Sequence, residues 1–392
     1  MRRASGRAVR HRGERAILRE MPTRGDTPIR GRDPSWPAAR SGPPVLPGDD
    51  PRSIAIAAER LRAGGLVVFP TETVYGLGAN ALDPRAVARI FAAKERPAFD
   101  PLIVHLADAS AVGTYAETED AEDPRVVRLA ARFWPGPLTL VLRKRAVVPG
   151  IVTAGLPTVG LRVPDHPVAR ALVRAAGVPV AAPSANRFGH ISPTRAAHVV
   201  AGLGSRVDLV LDGGPCRVGV ESTVVLLAGG RAALLRPGGL AVEAIEAEIG
   251  HLEVLVDGAP GTAELAPGRA GGHYAPRVPL EIGDPLDPES APAFAVRPGE
   301  RVGLLAASAA GRDAAEAAGG PFAAVEVLDA DGDLVGAAAR LFDALHALQD
   351  AGLSRIVAEP VPDVGLGRAV MDRLRRAARA GGDARGAPAI NR

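Results

Sequence analysis

Short apolar runs separated by amphipathic helical stretches recur from residue 51 to the end of the chain, and this alternation limits the fold more than any other feature. Some runs, such as residues 66–69 and 102–106, are apolar on both faces, which is typical of buried strands. Helical patterns fill the intervals; one follows Asp83, which can cap a helix that begins at Pro84. Strands alternating with helices predict an α/β protein whose twisted, mixed sheet has a concave side.

Composition divides the chain into four parts. Its 392 residues suffice for two domains, at about 100–200 residues per domain. Residues 1–50 are rich in Arg, Pro and Gly without apolar periodicity, which predicts a disordered leader, with Met21 as an alternative start. We expect the sheet domain at residues 51–250 and a Pro/Gly-rich linker at 251–280. A small C-terminal βαβ, Rossmann-like domain is expected at 281–392.

Charge and cysteine content exclude several classes of protein. The net charge is +3, but the leader holds eleven arginines against six acidic residues, so the rest of the chain has a net charge of −2. Such a body is not a basic platform for nucleic acid. The single cysteine, Cys216, excludes an internal disulfide framework and cysteine-based zinc sites. No apolar run is long enough to span a membrane, and we expect a cytoplasmic protein.

A lysine at one position is notable because nearly all other basic residues are arginine. Two of the 47 basic residues are lysines, Lys94 and Lys144. Lys94 opens the segment Lys94-Glu-Arg96-Pro, in which an ammonium and a planar guanidinium can bind phosphate in different ways. The alternative for any single basic pair is a solvated surface turn. We expect Lys94 to be required rather than incidental.

Polar side chains follow the predicted strands. Thr71, Thr73 and Tyr75 come after the first strand, and alternation places them on one side of the chain. A sharp turn is expected next, at Gly76 and Gly78. Hydroxyl groups beside glycines can hold a small polar ligand, whereas a capped turn with exposed threonines is the alternative.

The run 178–182 is also followed by polar residues. Ser184, Asn186 and Ser192 offer groups that commonly position phosphate or ribose oxygens. The alternative is a turn leading into a helix that Thr194 caps.

Two arginines and a histidine lie on predicted strands. Arg162 and Arg236 each need an anionic partner, either an acidic side chain of the protein or a ligand. His105 fits either a site residue or a satisfied core histidine. Without paired cysteines or clustered histidines, a protein-ligated metal is not expected; any metal would arrive as Mg²⁺ on nucleotide phosphates.

Taken together, several segments resemble the YrdC-like family of threonylcarbamoyl-AMP synthases, from about residue 55 to 245. They are Phe69-Pro-Thr-Glu-Thr-Val-Tyr-Gly-Leu-Gly, Lys94-Glu-Arg-Pro, Trp134-Pro-Gly-Pro-Leu-Thr, Ala182-Pro-Ser-Ala-Asn, Val220-Glu-Ser-Thr and Leu235-Arg-Pro-Gly-Gly. Beyond them, His273-Tyr-Ala-Pro and the tail Gly365-Leu-Gly-Arg-Ala-Val-Met-Asp-Arg-Leu are similar to the family's longer, two-domain members.

The resemblance implies a twisted α/β fold with a concave cleft. It implies synthesis of L-threonylcarbamoyladenylate and pyrophosphate from L-threonine, bicarbonate and ATP, for N6-threonylcarbamoyladenosine at position 37 of tRNA. Mg²⁺ would accompany ATP, and a tRNA threonylcarbamoyl transferase complex would act downstream. Contact with tRNA or double-stranded RNA is a further expectation.

The resemblance also assigns site residues. Lys94 and Arg96 are implied as the catalytic pair. The threonine site is expected to comprise Thr73, His105, Arg162, Ala182 and Ser222. The ATP site is expected to comprise Arg96, Asp100, Thr158, Ser184, Asn186, Ser192, Arg236 and Tyr274. This chain departs from the family at Asp100, where Asn is usual, and at Ala182, where some members have Thr.

A lid and two alternative functions complete the expectations. Gly268, Gly271 and Gly272 precede a lone aromatic residue, Tyr274, which predicts a linker able to cover the cleft.

One alternative is a non-catalytic RNA-binding module, which the charge of −2 and the scarce aromatics disfavour. The other is carbamoyl-adenylate chemistry with a different acceptor, as in hydrogenase maturation proteins. That class is disfavoured because no acylphosphatase-like or zinc-finger segment is present.

Overall fold

The computed structural model describes most of the chain beyond the predicted leader. The described residues are 42–97, 99–255, 273–284, 287, 289, 291–319 and 321–386. Met21 and the three lid glycines Gly268, Gly271 and Gly272 lie outside them, as do residues 1–41 of the predicted leader.

Fifteen strands occur in the described residues. They are β1 (Val45–Pro47), β2 (Val67–Phe69), β3 (Gly76–Asn80), β4 (Ile103–His105), β5 (Leu138–Arg143), β6 (Thr158–Arg162), β7 (Val180–Ala181), β8 (Leu209–Asp212), β9 (Thr223–Leu226), β10 (Ala233–Arg236), β11 (Glu253–Val254), β12 (Leu280–Ile282), β13 (Val302–Ala306), β14 (Ala324–Val327) and β15 (Arg355–Ala358).

Eleven α-helices occur in the same residues. They are α1 (Pro51–Arg62), α2 (Pro84–Lys94), α3 (Val112–Tyr115), α4 (Thr118–Ala121), α5 (Pro124–Phe133), α6 (Pro167–Ala176), α7 (Ala196–Leu203), α8 (Val242–Ile249), α9 (Ala309–Gly319), α10 (Leu334–Asp350) and α11 (Gly367–Gly386).

The first eleven strands form one mixed sheet. Their order is β1-β8-β2-β3-β7-β4-β6-β5-β9-β10-β11. Five neighbouring pairs are parallel, namely β1 with β8, β8 with β2, β4 with β6, β5 with β9 and β10 with β11, and the other five are antiparallel. The predicted α/β class with a mixed sheet is therefore confirmed.

Asp-Pro pairs start three of the helices on this sheet. The carboxylates of Asp50, Asp83 and Asp123 each accept a hydrogen bond from the backbone N–H two residues later, at 2.9, 2.9 and 2.8 Å. In each case proline occupies the first helical position, where no N–H is needed. Each cap stabilises its helix by about 1 kcal/mol. The sequence pattern thus fixes where these helices begin.

Helices cover both faces of the large sheet. On one face α1 and α6 bury Leu61 and Leu172 against Phe69 of β2. On the other, Ile90 of α2 and Leu129 of α5 belong to the largest core cluster. Each such side chain contributes about 1.5–3 kcal/mol when it is removed from water.

The C-terminal domain has an all-parallel sheet of order β12-β15-β13-β14, as a βαβ domain requires. A shared apolar cluster joins it to the large sheet domain. That cluster contains Val74 and Val220 from the first domain, Phe342 of α10 and Val370 of α11, with Tyr274 between them. The two domains therefore pack around Tyr274, in the last part of the predicted linker.

Three local predictions are wrong. Residues 45–47, assigned to the leader, form an edge strand paired with β8. Gly76 and Gly78 lie in strand β3, not in a sharp turn; a side chain at Gly78 would meet the Phe69 ring at 2.8 Å, so glycine permits the β2–β3 pairing. Residues 253–254, assigned to the linker, form strand β11, which pairs with β10 of the large sheet. The alternative of a helix capped by Thr194 is also not observed, because Arg195 holds the cap position of α7 without a side-chain hydrogen bond.

Candidate active site

A cavity of about 660 Å³, open mouth included, lies between the large sheet and the segment that begins at His273. Eleven of the fourteen sequence-predicted site residues line it. They are Thr73, Lys94, Arg96, His105, Arg162, Ala182, Ser184, Asn186, Ser222, Arg236 and Tyr274.

The other three predicted residues do not line this cavity. Asp100 lies behind Arg96, and its Oδ2 is 2.9 Å from a terminal nitrogen of that guanidinium. The Ser192 hydroxyl donates to Glu221 Oε1 at 2.5 Å. Thr158 borders a smaller neighbouring cavity of about 300 Å³, which shares Ile103 with the main one.

Strands β4 and β6 set one end of the cavity. Their parallel register places His105 directly beside Arg162. Arg162 Nη1 donates to the Thr73 hydroxyl at 3.1 Å, and Nη2 donates to Glu72 Oε1 at 2.6 Å. Of the two partners considered for Arg162, the protein acid is present. Its guanidinium also faces the cavity, where a second anion can approach it.

Burial controls the protonation of His105. Its side chain is only 3% exposed. Loss of water, reinforced by the charge of Arg162, lowers the pKa of His105 to about 3. The imidazole is therefore neutral at physiological pH, and it faces the cavity as a hydrogen-bonding group without charge.

Ser222 and Arg236 occupy the adjoining wall, where β9 and β10 are antiparallel neighbours. The Ser222 hydroxyl is hydrogen-bonded to that of Thr139 at 2.8 Å. Arg236 Nη2 donates to the main-chain oxygen of Ser222 at 2.9 Å. These bonds fix the Arg236 guanidinium against the cavity.

Helix α2 sets the opposite end. Lys94 is its last residue, and Glu95 turns the chain with a left-handed φ of 55°. Because of this turn, Lys94 and Arg96 both reach the cavity, although they are only two residues apart. The Glu95 carboxylate points outwards, where it pairs with Arg187 and Arg206 at 2.5 and 2.6 Å.

Lys94 is a buried cation held by neutral oxygens. Its ammonium donates to the main-chain oxygens of Ser184 and Asn186 at 2.6 and 2.5 Å. Among the residues that the structure describes, it forms no ion pair. Burial, and after it the charge of Arg96, hold the pKa of Lys94 well below its ordinary value. An anion bound here would stabilise the ammonium.

The cavity carries an excess of positive charge. Four cations line it, Lys94, Arg96, Arg162 and Arg236, against one carboxylate, that of Glu221. All five side chains are at least nine-tenths buried. Glu72 and Asp100, which lie outside the lining, pair with Arg162 and Arg96 and offset part of this charge. The remaining excess favours anionic ligands, because buried cations are costly without compensating anions.

Two acids and one arginine at this site have no role in the sequence-based assignment. Glu72 and Glu221 lie inside two of the family motifs, and this position was the only sequence indication of a role. Their partners are distant in sequence. Arg373, on α11, donates to Glu221 Oε2 at 3.0 Å across 152 residues. No local sequence pattern links Glu221 to Arg373.

The described residues hold neither a metal-ligand cluster nor a membrane-spanning helix. Within the described ranges, no group of three or more His, Cys, Asp or Glu side chains is placed to hold a metal ion. Of the helices that the structure describes, none combines the length and apolar character needed to cross a bilayer.

Both domains match known families. Residues 59–238 match the family described as "Telomere recombination", and residues 240–379 match the "Threonylcarbamoyl-AMP synthase, C-terminal domain" family. The chain is 45% identical to the threonylcarbamoyl-AMP synthase of Pyrococcus abyssi, over 83% of this chain and 93% of that protein. It is 44% identical to the Bacillus subtilis protein of the same name, over 85% and 94%.

A solved structure shares this two-domain fold. The crystal structure of P. abyssi Sua5 complexed with L-threonine superposes with a TM-score of 0.75 at 41% identity. The match covers 85% of this chain and 96% of that one.

Proposed function

The chain belongs to the two-domain threonylcarbamoyl-AMP synthase family, and we propose that its cationic cavity binds L-threonine around Arg162 and ATP around Lys94 and Arg96. The family's activity is an ATP-using transfer of nucleotidyltransferase type. The predicted family and activity are confirmed, whereas the assignment of individual residues is our proposal.

One observation carries this assignment: four buried cations from three separate segments, the end of α2, β6 and β10, converge on a single cavity. The reaction brings together a carboxylate, a carbamate and a triphosphate, which repel one another in water. A preorganised set of positive charges offsets that repulsion without reorganisation at the moment of reaction.

At the threonine end, the fork of Arg162 fits a carboxylate. The Thr73 hydroxyl, 3.1 Å from Arg162, and the neutral His105 imidazole are placed to orient the hydroxyl and amine of the substrate. Ser222 and Ala182 line the same cavity. The threonine complex of the P. abyssi protein supports an amino-acid site in this fold.

At the ATP end, Lys94 and Arg96 face the phosphates, with Ser184 and Asn186 beside them. Arg236 and Tyr274 complete this part of the cavity. We assign supporting roles to Asp100 and Ser192, since each reaches the cavity through a partner, Arg96 or Glu221. Thr158 fits a more distant part of ATP in the neighbouring cavity.

The reaction proceeds in two steps. The threonine nitrogen forms a bond to the carbon of bicarbonate, and water leaves, giving a carbamate. A carbamate oxygen then attacks the α-phosphorus of ATP, the bond to the bridging oxygen breaks, and pyrophosphate departs with the electron pair. Lys94 and Arg96 stabilise the charge that develops on the phosphates. No covalent bond to the protein is needed.

Mg²⁺ enters this scheme as part of the substrate. The only lining carboxylate in the described residues, Glu221, is already bonded to Ser192 and Arg373. We therefore expect Mg²⁺ to be held by ATP phosphates and water, as is common for this ion.

The product needs an acceptor in the same compartment. We propose that a tRNA threonylcarbamoyl transferase complex receives it, and that this occurs in the cytoplasm, where the buried free thiol of Cys216 would remain reduced. Direct contact with tRNA or double-stranded RNA remains a separate proposal, which binding of labelled tRNA to the full chain would test.

Pyrophosphate release by the full chain tests the function and the site together. Release should require L-threonine, bicarbonate and Mg·ATP, and omission of any one should reduce it to background. Arg162→Lys should raise the KM for threonine more than the KM for ATP. Release that is independent of threonine would contradict the proposed assignment.

A further inference from the structure

Arg373 belongs to the C-terminal domain but lies completely buried beside the cavity of the first domain. Its Nε donates to Glu221 Oε2 at 3.0 Å, and Nη1 donates to the main-chain oxygen of Pro237 at 2.6 Å and to Asp372 Oδ2 at 3.0 Å. The ring centroid of Tyr274 lies 5.2 Å from its Cζ, within the range of a cation–π contact. Arg373 therefore holds two cavity-lining residues, Glu221 and Tyr274, at once.

Glu221 explains why such a contact matters. Burial alone would raise the pKa of Glu221, but Arg373, Arg236 and the Ser192 hydroxyl together hold it below its ordinary value. The side chain is therefore a carboxylate that lines the cavity. In a water-poor site an uncompensated negative charge would repel ATP phosphates strongly.

Tyr274 is the second residue that Arg373 supports. Its backbone has a left-handed φ of 64°, an uncommon conformation for a bulky residue. The ring is fixed between Arg373 and Phe342, whose ring centroid is 5.7 Å away. Both supports come from the C-terminal domain, so the conformation of this wall depends on that domain.

We propose that Arg373 is a positioning residue for ATP: it neutralises Glu221 and orients Tyr274, so the active site is incomplete without the C-terminal domain. The inference rests on the proposed function in placing ATP in this cavity. Its Nη2 is buried without a hydrogen-bond partner in the described part of the chain. An unpaired buried donor costs about 1–3 kcal/mol, so this arginine is not optimised for stability alone.

Domain adhesion alone is the competing role for Arg373, and a pair of variants separates the two roles. If Arg373 acts by neutralising Glu221, Arg373→Met leaves that carboxylate with only the Ser192 hydroxyl and Arg236 to offset its charge, and ATP binds more weakly. Glu221→Gln/Arg373→Met removes that carboxylate and should restore much of the affinity. If Arg373 only holds the domains together, the thermal stability and the affinities for both substrates should change together.

The experiment uses the full chain and calorimetric titration with Mg·ATP and, separately, with L-threonine. Arg373→Met should raise the Kd for ATP at least tenfold and change the Kd for threonine less than twofold. Arg373→Lys, which keeps the charge but loses the planar fork, should weaken ATP binding less than Arg373→Met does. The double variant should regain at least half of the loss on a logarithmic scale.

Arg375→Met is the matched control. Arg375 lies on the same helix, half exposed, and pairs with Asp363 at 2.9 Å on the surface. It should bind ATP like the wild type. Thermal unfolding shows whether each variant is folded. If Arg373→Met does not fold, the double variant and Arg373→Lys still test the inference.

Two results would overturn the inference: an ATP affinity of Arg373→Met within twofold of the wild type, or a double variant that binds no more tightly than the single one. If the wild-type chain binds ATP but shows no threonine-dependent release of pyrophosphate, the proposed function is contradicted. The ATP-binding test of Arg373 still applies in that case. A wild-type chain that binds no ATP would overturn both.

Discussion

The ammonium of Lys94 donates a hydrogen bond of 2.5 Å to the main-chain oxygen of Asn186, which lies 92 residues further along the chain. This bond joins the end of helix α2 to the loop after β7, and both segments line the cavity. The Lys-x-Arg and Ser-x-Asn motifs are therefore parts of one site. Lys94 both connects two walls of that site and supplies charge to it.

Replacing this lysine should abolish most turnover. Lys94→Ala is expected to lower kcat for pyrophosphate release by about 100-fold or more, because a preorganised charge at the phosphates is lost. The protein should remain folded by circular dichroism, since the change removes a costly buried cation as well as two hydrogen bonds. Lys144→Ala is the control, because Lys144 is bonded to the Val148 main chain outside the cavity lining. Equal turnover in both variants would contradict the role of Lys94.

The left-handed turn at Glu95 should tolerate glycine but not a β-branched residue. Glu95→Gly relieves the backbone strain but loses two exposed ion pairs, each worth about 0–1 kcal/mol. We expect its unfolding free energy to stay within about 1 kcal/mol of the wild type and its activity to be kept. Glu95→Val retains neither the ion pairs nor an accessible conformation, and should lose about 1–3 kcal/mol and most turnover. Urea unfolding and initial rates check both, and equal behaviour of the two variants would refute this account.

Arg162 should discriminate between the two substrates. Arg162→Lys keeps a charge but loses the fork that fits a carboxylate, so the KM for threonine should rise about tenfold or more. The KM for ATP should change little, because Lys94 and Arg96 occupy the other end of the cavity. Arg143→Lys serves as the control: it lies on neighbouring β5 and pairs with Asp120 at 2.8 Å, outside the cavity lining. A rise confined to the KM for ATP would place the threonine site elsewhere.

Local signals explain what the sequence predicted well. An Asp-Pro pair marks the start of α2, and apolar runs mark buried strands, because caps and burial act over a few residues. Strand β3 escaped detection because its glycines carry no side-chain pattern; they are required by the Phe69 ring of the neighbouring strand. The edge strand at residues 45–47 was missed because three residues are too few to show a period.

Ion pairs between residues that are distant in sequence could not be predicted from local signals. Arg162 could have faced a protein acid or a ligand, and only the fold shows that Glu72 lies 2.6 Å from it. The contact between Glu221 and Arg373 joins two domains, and nothing within either motif indicates its partner. Motif resemblance identified eleven of the residues that line the cavity, whereas their mutual geometry required the sheet register and domain packing.

Acid should destabilise the folded chain through His105. Its pKa is about 3 in the folded state, because of burial and then Arg162, and near 6.5 when unfolded. Between these values the unfolded state binds the extra proton, so the stabilisation present above pH 6.5 is lost as the pH falls towards 3. His105 should therefore add about 1.4 kcal/mol per pH unit to the slope of the unfolding free energy in this window.

His105→Gln removes this contribution whatever its effect on absolute stability. Urea unfolding of both proteins at intervals between pH 6 and 4.5 should give a shallower slope for the variant. Other groups titrate in this window, including His273, whose pKa burial also lowers to about 3, but they act on both proteins alike. The difference between the slopes therefore isolates His105. Parallel slopes would show that the imidazole is protonated in the folded state, and its assignment as a neutral hydrogen-bonding group would then be wrong.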